Sequence, residues 1–219
     1  MHHSNRTRVS LLVLTMAAGL SAKASLSQNL LFDPGFESGT PVPGGVGGWN
    51  TVTNASFSKN YAHSGQWSME CYFVPSSFPG GDSVQSVAAL PGAEYNLSGF
   101  GFTPATLSGQ AFASLTLFFT DSNGSVLGNF YTSPPITSSS PVATWIPLSV
   151  SQVTPANAAN VVAEVILFNY SLGDAAYFDD LSLTIVPEPS SALLTGLGII
   201  ICSIWSSIRY QRLKSAASR

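Results

Sequence analysis

Short strand-like segments separated by turn residues fill the middle of the chain, and this spacing constrains the fold more than any other feature. Clusters of Gly, Pro, Asn and Ser interrupt segments rich in β-branched and aromatic residues roughly every ten to fifteen residues. Segment 66–73 alternates, with Trp67, Met69 and Cys71 on one face and Glu70 on the other. About nine or ten such strands without a helical period predict an all-β domain, a two-sheet jelly-roll sandwich.

The N-terminal residues form a targeting pattern. Arg6 and Arg8 precede the apolar stretch 9–20, and a small-x-small site ends at Ala24. A membrane anchor is the alternative, but about twelve apolar residues are too short to span the hydrocarbon layer. We therefore expect a signal peptide over 1–24, cleavage after Ala24 and an exported mature protein.

The C-terminal residues 187–219 form a second targeting pattern. Pro187, Glu188 and Pro189 precede the uncharged stretch 192–208, which basic residues follow. Such a stretch makes a helix of about 25 Å, enough for a transmembrane helix with a cytoplasmic basic tail. The order resembles the PEP-CTERM sorting signal of bacterial envelope proteins. That resemblance implies transient anchoring in the inner membrane, removal by an exosortase, and a cell-envelope or extracellular location in bacteria that make exopolysaccharide.

The charge of the intervening domain, 25–186, limits what it can bind and catalyse. Its one basic residue is Lys59, against ten acidic residues, so its net charge is −9. A domain with a single cation cannot displace the counterions of a phosphate backbone, which excludes nucleic acid as a partner. His63 is its one histidine, and no nucleophile-elbow, zinc-helix or phosphate-loop motif occurs. We therefore expect no enzymatic activity.

Several segments in the domain resemble galactose-binding-like jelly-roll carbohydrate-binding modules. They are Asn29-Leu30-Leu31, Pro34-Gly35-Phe36-Glu37, His63-Ser64-Gly65, residues 118–128, Trp145 with Pro155-Ala156, and residues 177–183. The resemblance implies a non-catalytic surface or matrix protein that binds a polysaccharide. The alternative is a structural envelope or biofilm-matrix protein with the same fold and no specific glycan site.

Four aromatic residues are the candidates for glycan contact: Trp49, Tyr61, Tyr131 and Trp145. Each lies in or beside a loop or strand end, where a rigid ring offers a flat apolar surface to sugar C–H groups. Core packing is the alternative for each. Solvent-facing aromatics gathered on one sheet face or loop rim would favour binding.

The final predicted strand suggests a structural calcium ion. By the two-residue period Asp179 shares the apolar face of Leu181 and Leu183, where a carboxylate is costly unless paired or bound to metal. The resemblance implies calcium ligands at Glu37, at the Ser64-Gly65 turn and at Asp179, with Asp33 and Asp180 as weaker candidates. The alternative is an Asp that accepts backbone N–H bonds at the sheet edge.

Overall fold

The fold is seen in a computed structural model, which describes residues 28–39, 48–74, 80–169, 171–187 and 205. In these residues the strands are β1 (Asn50–Thr53), β2 (Ala55–Ser58), β3 (Ser68–Tyr72), β4 (Gly80–Ala88), β5 (Glu94–Phe102), β6 (Phe112–Thr120), β7 (Val126–Thr132), β8 (Ile146–Val153), β9 (Asn160–Phe168) and β10 (Ala175–Val186).

The ten strands of the described residues form two antiparallel sheets of five strands each. Sheet 1 has the order β1-β4-β9-β6-β7, and sheet 2 has the order β2-β3-β10-β5-β8. Neighbouring strands in a sheet are mostly distant in sequence, so long connections cross between the sheets, as a sandwich requires. The predicted all-β class with two antiparallel sheets is confirmed, and it is consistent with a jelly-roll sandwich.

The core lies between the sheets because apolar residues alternate along their strands. Leu115, Leu117 and Phe119 of β6 point inward from sheet 1, and Met69 and Leu97 point inward from sheet 2. Each is fully buried, and burying one such side chain contributes about 1.5–3 kcal/mol to folding. The alternation predicted for segment 66–73 is confirmed at Met69 and Cys71, which are buried, while Glu70 between them is partly exposed.

The opening residues 29–32, which read as a strand in the sequence, lie outside the strands. Leu30 N donates to Leu183 O at 2.8 Å, but the neighbouring bonds go through side chains. The Asn29 amide bonds Leu181 O at 2.9 Å, and Gln85 Nε2 donates to Phe32 O at 2.9 Å. Hydrogen bonds from side chains therefore replace the backbone pairing of a β-strand here, and they hold the segment across the edge of the sandwich.

A bulge in β10 overturns the predicted inward direction of Asp179. Asp179 pairs with Phe100, but the next pair is Ser182 with Ser98, so β10 holds one extra residue there. Asp180 takes the left-handed conformation, with φ of 49°. The two-residue period is broken at this point, and Asp179 lies on the outer face of sheet 2 although Leu181 faces the core.

The predictions for the ends of the chain fall largely outside the described residues. The leader 1–24, Glu188, Pro189 and the stretch 192–208 are not among them, apart from Trp205. Within the described part of the chain, no helix combines the length and apolar character needed to cross a membrane. Strand β10 ends at Val186, and Pro187 is exposed beside it.

Candidate functional site

The outer face of sheet 1 brings acidic and aromatic side chains together; we call Asp82, Thr116, Phe118, Phe130 and Glu164 the acid–aromatic face. Thr116 of β6 pairs with Glu164 of β9, and Phe118 lies two residues further along the same face. Asp82 on β4 lies diagonally across from Glu164, since their partners in register are Ile166 and Val84. Three neighbouring strands thus position the carboxyl groups and the hydroxyl.

Glu164 has an unusual electrostatic environment for a residue on a sheet face. It is only 8% exposed. Burial, reinforced by the nearby Asp82 carboxylate, raises its pKa from 4.5 to about 7, although a hydrogen bond from Thr116 opposes the shift. Burial also raises the pKa of Asp82, against a hydrogen bond from Thr53. Near neutral pH the pair can therefore both donate and accept hydrogen bonds, which suits a partner rich in hydroxyl groups.

Aromatic rings flank this polar centre on both sides along β6. At one end Phe118 contacts Phe130, with ring centroids 4.8 Å apart, and Phe130 is 58% exposed. At the other end Phe112 and Phe168 are 5.8 Å apart. From Phe112 to Phe118 the strand covers about 20 Å, so the face offers apolar surfaces at both ends of an extended polar strip.

Two of the four aromatic residues predicted from the sequence belong to the core. Trp49 is 1% exposed, packs on Phe36 at 5.0 Å, and donates from its indole N–H to Asp33 O at 3.1 Å. It therefore has no free face for a sugar, and its assignment as a contact residue is corrected. Tyr131 pairs with the inward residue Leu117 and packs partly buried against the core near Phe119, at 6.5 Å. Both rings fill space between the sheets.

The other two predicted aromatics meet on the outer face of sheet 2. Tyr61 and Trp145 both contact Phe102, at centroid distances of 4.8 Å and 5.1 Å. His63 stacks on Phe100 at 3.8 Å and meets Trp145 edge-on at 5.4 Å. With Tyr177, which contacts Tyr61 at 4.9 Å, these residues form what we call the ring cluster.

His63, Ser64 and Asp180 are adjacent, but they are not arranged as a catalytic triad. His63 Nδ1 lies 2.6 Å from Asp180 Oδ2, and Ser64 Oγ donates to Asp180 Oδ1 at 2.6 Å. The serine hydroxyl is therefore held by the carboxylate and not by the imidazole that would have to activate it. This arrangement ties the loop to the β10 bulge.

The residues predicted to bind calcium lie close together around Gly35. A Cβ added at Gly35 would lie 3.7 Å from an oxygen of Asp179 and from one of Asp180, and 3.9 Å from Glu37 Cγ. Glu37 Oε1 accepts Gln66 N and Trp67 N at 2.9 and 3.1 Å. Added at Gly65, a Cβ would collide with the Glu37 carboxylate, so this turn is packed directly on it.

Asp179 also makes the contacts of the capping alternative. Its Oδ2 accepts His63 N at 2.7 Å and Ser64 N at 3.1 Å, and its Oδ1 accepts Asp180 N at 2.7 Å. Burial raises the Asp179 pKa, and these backbone bonds oppose the rise. The described residues contain no group of three or more His, Cys, Asp or Glu side chains arranged to hold a metal. A calcium ion here would need backbone carbonyl or water ligands as well, and calcium accepts both.

The sequence-based prediction did not include the acid–aromatic face. Its signals were present in the alternation of 112–118, where Phe, Ser, Thr and Phe share one face, and in Glu164 within the apolar run 161–168. From the sequence alone, an acidic residue inside such a run indicates only a break in the apolar pattern. Only the register of β9 against β6 shows that it stands opposite Thr116.

Comparison with known proteins shows a likeness of fold. No protein-family model and no curated protein matches the sequence. Among solved structures, the CBM22-1 xylan-binding domain from Paenibacillus barcinonensis is 15% identical, with a TM-score of 0.52 over 74% of this chain and 97% of that one. An arabinose-bound α-L-arabinofuranosidase is 19% identical, with a TM-score of 0.55 over 75% of this chain and 27% of that one. The enzymatically active domain of tailspike protein 4 from bacteriophage CBA120 is 11% identical, with a TM-score of 0.52 over 72% of this chain and 21% of that one. The neighbours of this β-sandwich thus include carbohydrate-binding modules.

Proposed function

We propose that the protein is a non-catalytic carbohydrate-binding protein whose acid–aromatic face holds an extended neutral glycan. The observation that carries this proposal is the combination on one sheet face of exposed Phe130, its neighbour Phe118, and the Glu164–Asp82 pair. A sugar presents flat C–H surfaces for the rings and hydroxyl groups for the carboxyl groups, and the buried Thr116 holds Glu164 by a hydrogen bond.

The negative charge of the domain favours neutral glycans over acidic ones. The face carries two carboxyl groups, and the one basic residue of 25–186, Lys59, lies 4.5 Å above the Trp67 ring. Uronic-acid polysaccharides would therefore meet repulsion without a compensating cation. The bound polysaccharide is neutral, and xylan and arabinose-substituted xylan are the first to test because the structural neighbours include a xylan-binding domain and an arabinose-bound enzyme.

The proposal includes export and sorting. The leader 1–24 directs the chain out of the cytoplasm, and Pro187, Glu188 and Pro189 with the following apolar stretch form the segment that an exosortase removes. The end of β10 at Val186 supports this division, because it is the residue directly before Pro187. The mature protein then serves at the cell surface or in an extracellular matrix.

Affinity electrophoresis of the full-length protein in gels containing xylan, arabinoxylan, galactan, alginate or polygalacturonate tests the proposal. We expect retardation by at least one neutral polysaccharide and none by the two acidic ones. Phe130→Ala should weaken retardation by about tenfold, the amount expected from loss of one stacking ring. Phe32→Ala, which removes an equally exposed ring outside this face, is the matched control.

Three results decide between the proposal and its alternatives. Retardation by a neutral glycan that Phe130→Ala reduces and Phe32→Ala leaves unchanged supports it. No retardation by any polysaccharide favours a structural envelope or matrix protein. Release of reducing sugar that is lost in Glu164→Gln would instead make the carboxyl pair catalytic and refute the non-catalytic assignment.

A further inference from the structure

The ring cluster lies on the opposite side of the sandwich from the acid–aromatic face. Phe100 and Phe102 of β5 pair with Asp179 and Tyr177 of β10, and all four residues lie on the outer face of sheet 2. The core residues fill the space between the two sheets, which are stacked about 10 Å apart. A ligand on one outer face therefore cannot reach the other.

The ring cluster has a buried base and an accessible rim. Phe102 and Tyr177 are almost fully buried although they lie outside the core, because Tyr61 contacts both rings and Trp145 contacts Phe102. Tyr61 is 42% exposed, and Trp145 is partly exposed. Rings placed outside the core fill no space between the sheets, and an exposed aromatic group of this kind is typical of a binding surface.

Polar atoms border these rings. His63 Nδ1 is engaged by Asp180, so Nε2 is the nitrogen left for another partner, and the stack on Phe100 fixes the plane of the imidazole. Tyr177 donates its hydroxyl to Glu70 at 2.6 Å, which keeps the base of the cluster rigid. Flat rings beside a held imidazole and a carboxylate match the two surfaces of a sugar, its C–H face and its hydroxyl groups.

We infer that the ring cluster is a second saccharide site and that the protein bridges two glycan chains through its two outer faces. This inference rests on the proposed function, since it assumes that the first face binds a glycan. One pyranose ring stacks on Trp145 or Tyr61, and its hydroxyl groups bond His63 Nε2 and Asp180. Two sites on opposite faces convert a glycan binder into a cross-linker of a polysaccharide matrix.

The experiment compares full-length variants of each face on the neutral polysaccharide that retards the wild type. Tyr61→Ala/Trp145→Ala alters the ring cluster, Phe130→Ala/Asp82→Asn alters the acid–aromatic face, and Phe32→Ala is the control. Each is measured by affinity electrophoresis and by the turbidity that cross-linking produces when protein and soluble polysaccharide are mixed. We expect each double variant to remain retarded, with affinity lowered about tenfold, and to lose turbidity completely.

A second measurement does not depend on truncating the rings of the rim. Trp145→Phe retains a ring, and its folding is verified by thermal unfolding beside the wild type. Titration with an oligosaccharide of the same polysaccharide should change the tryptophan emission of the wild type. In Trp145→Phe this change should be lost, because Trp49 is buried and Trp67 packs against the core, while Trp205 belongs to neither face.

The outcomes separate the two proposals. Loss of turbidity in both double variants with retained retardation supports two sites. Wild-type turbidity in Tyr61→Ala/Trp145→Ala, or loss of all retardation in Phe130→Ala/Asp82→Asn, overturns the second site and leaves the proposed function intact. Absence of any retardation of the wild type overturns both.

Discussion

Replacing Glu164 by Gln tests the electrostatics of the acid–aromatic face without any ligand. The change keeps the size of the side chain and its ability to bond Thr116, but it removes the ionisation. Burial raises the folded-state pKa of Glu164 from 4.5 to about 7. Between these two pH values the folded state therefore binds more protons than the unfolded state, and stability falls as pH rises.

The magnitude follows from the difference between the two pKa values. A difference of about 2.5 corresponds to roughly 3 kcal/mol, at 1.36 kcal/mol per pKa unit. This stability is fully present below about pH 4.5 and is lost as pH rises through about 7. Glu164→Gln should lack this loss, so the stability of the variant relative to the wild type should rise by about 3 kcal/mol between pH 4 and pH 8.

Urea unfolding of the full-length protein at a series of pH values measures this difference. Two further variants should shift the Glu164 pKa in opposite directions. Asp82→Asn removes the neighbouring charge that raises the Glu164 pKa, so it should flatten the pH dependence. Thr116→Val removes the hydrogen bond that lowers this pKa, so it should increase the total loss of stability between low and high pH. Parallel pH profiles for the wild type and Glu164→Gln would refute the assignment of a buried, protonated Glu164.

Three further predictions concern the Glu37 turn, the calcium ion and sorting. Gly65→Ala should cost more stability than Gly92→Ala in urea unfolding, by about 1 kcal/mol or more. Both glycines have a positive φ, +62° at Gly65 and +81° at Gly92, but only at Gly65 does the new Cβ collide with Glu37. Equal losses would contradict that packing. Calcium should stabilise the wild type by about 2.7 kcal/mol at a hundredfold excess over Kd, and its thermal unfolding midpoint should rise accordingly. Asp179→Asn should abolish the rise while the turn control Asp121→Asn retains it, and a midpoint unchanged by calcium or chelator would refute the ion. The intact mass of the surface-exposed protein from its host should lack residues 192–208; finding them there would make the segment an ordinary membrane anchor.

Much of the β-structure was predictable because its signal is local. The alternation of Met69 and Cys71 with Glu70 predicted that the first two share a face, and both are buried. The strand-like segments 111–120 and 126–131 correspond to β6 and β7. The bulge at Asp180 was not predictable, since it depends on contacts with distant segments. Leu181 N donates to Pro34 O at 2.9 Å, and the Asp179 carboxylate accepts hydrogen bonds from the backbone N–H groups of His63 and Ser64.

The candidate sites were also predictable only where their signal is local. Residues near strand ends were identified from the sequence, but whether a ring points outward or inward depends on register. Trp49 and Tyr61 both border short strands, yet Trp49 packs beneath Phe36 and Tyr61 covers Phe102 from outside. Glu164 acquires its character from the pairing of β9 with β4 and β6, which join segments about 80 and 50 residues away along the chain.

The scarcity of basic residues connects the two outer faces. Lys59 is the one basic residue of 25–186, and among the described residues no carboxyl group of either face forms an ion pair with Lys or Arg. Asp180 instead contacts the His63 imidazole, and Asp179 accepts hydrogen bonds from backbone N–H groups. Glu164 stays protonated up to near-neutral pH. Carboxyl groups held in these ways can exchange hydrogen bonds with uncharged hydroxyl groups but cannot attract an anion. Under the two proposals, both outer faces would therefore bind the same class of partner, a neutral polysaccharide, and the protein would belong in the interior of a neutral glycan matrix.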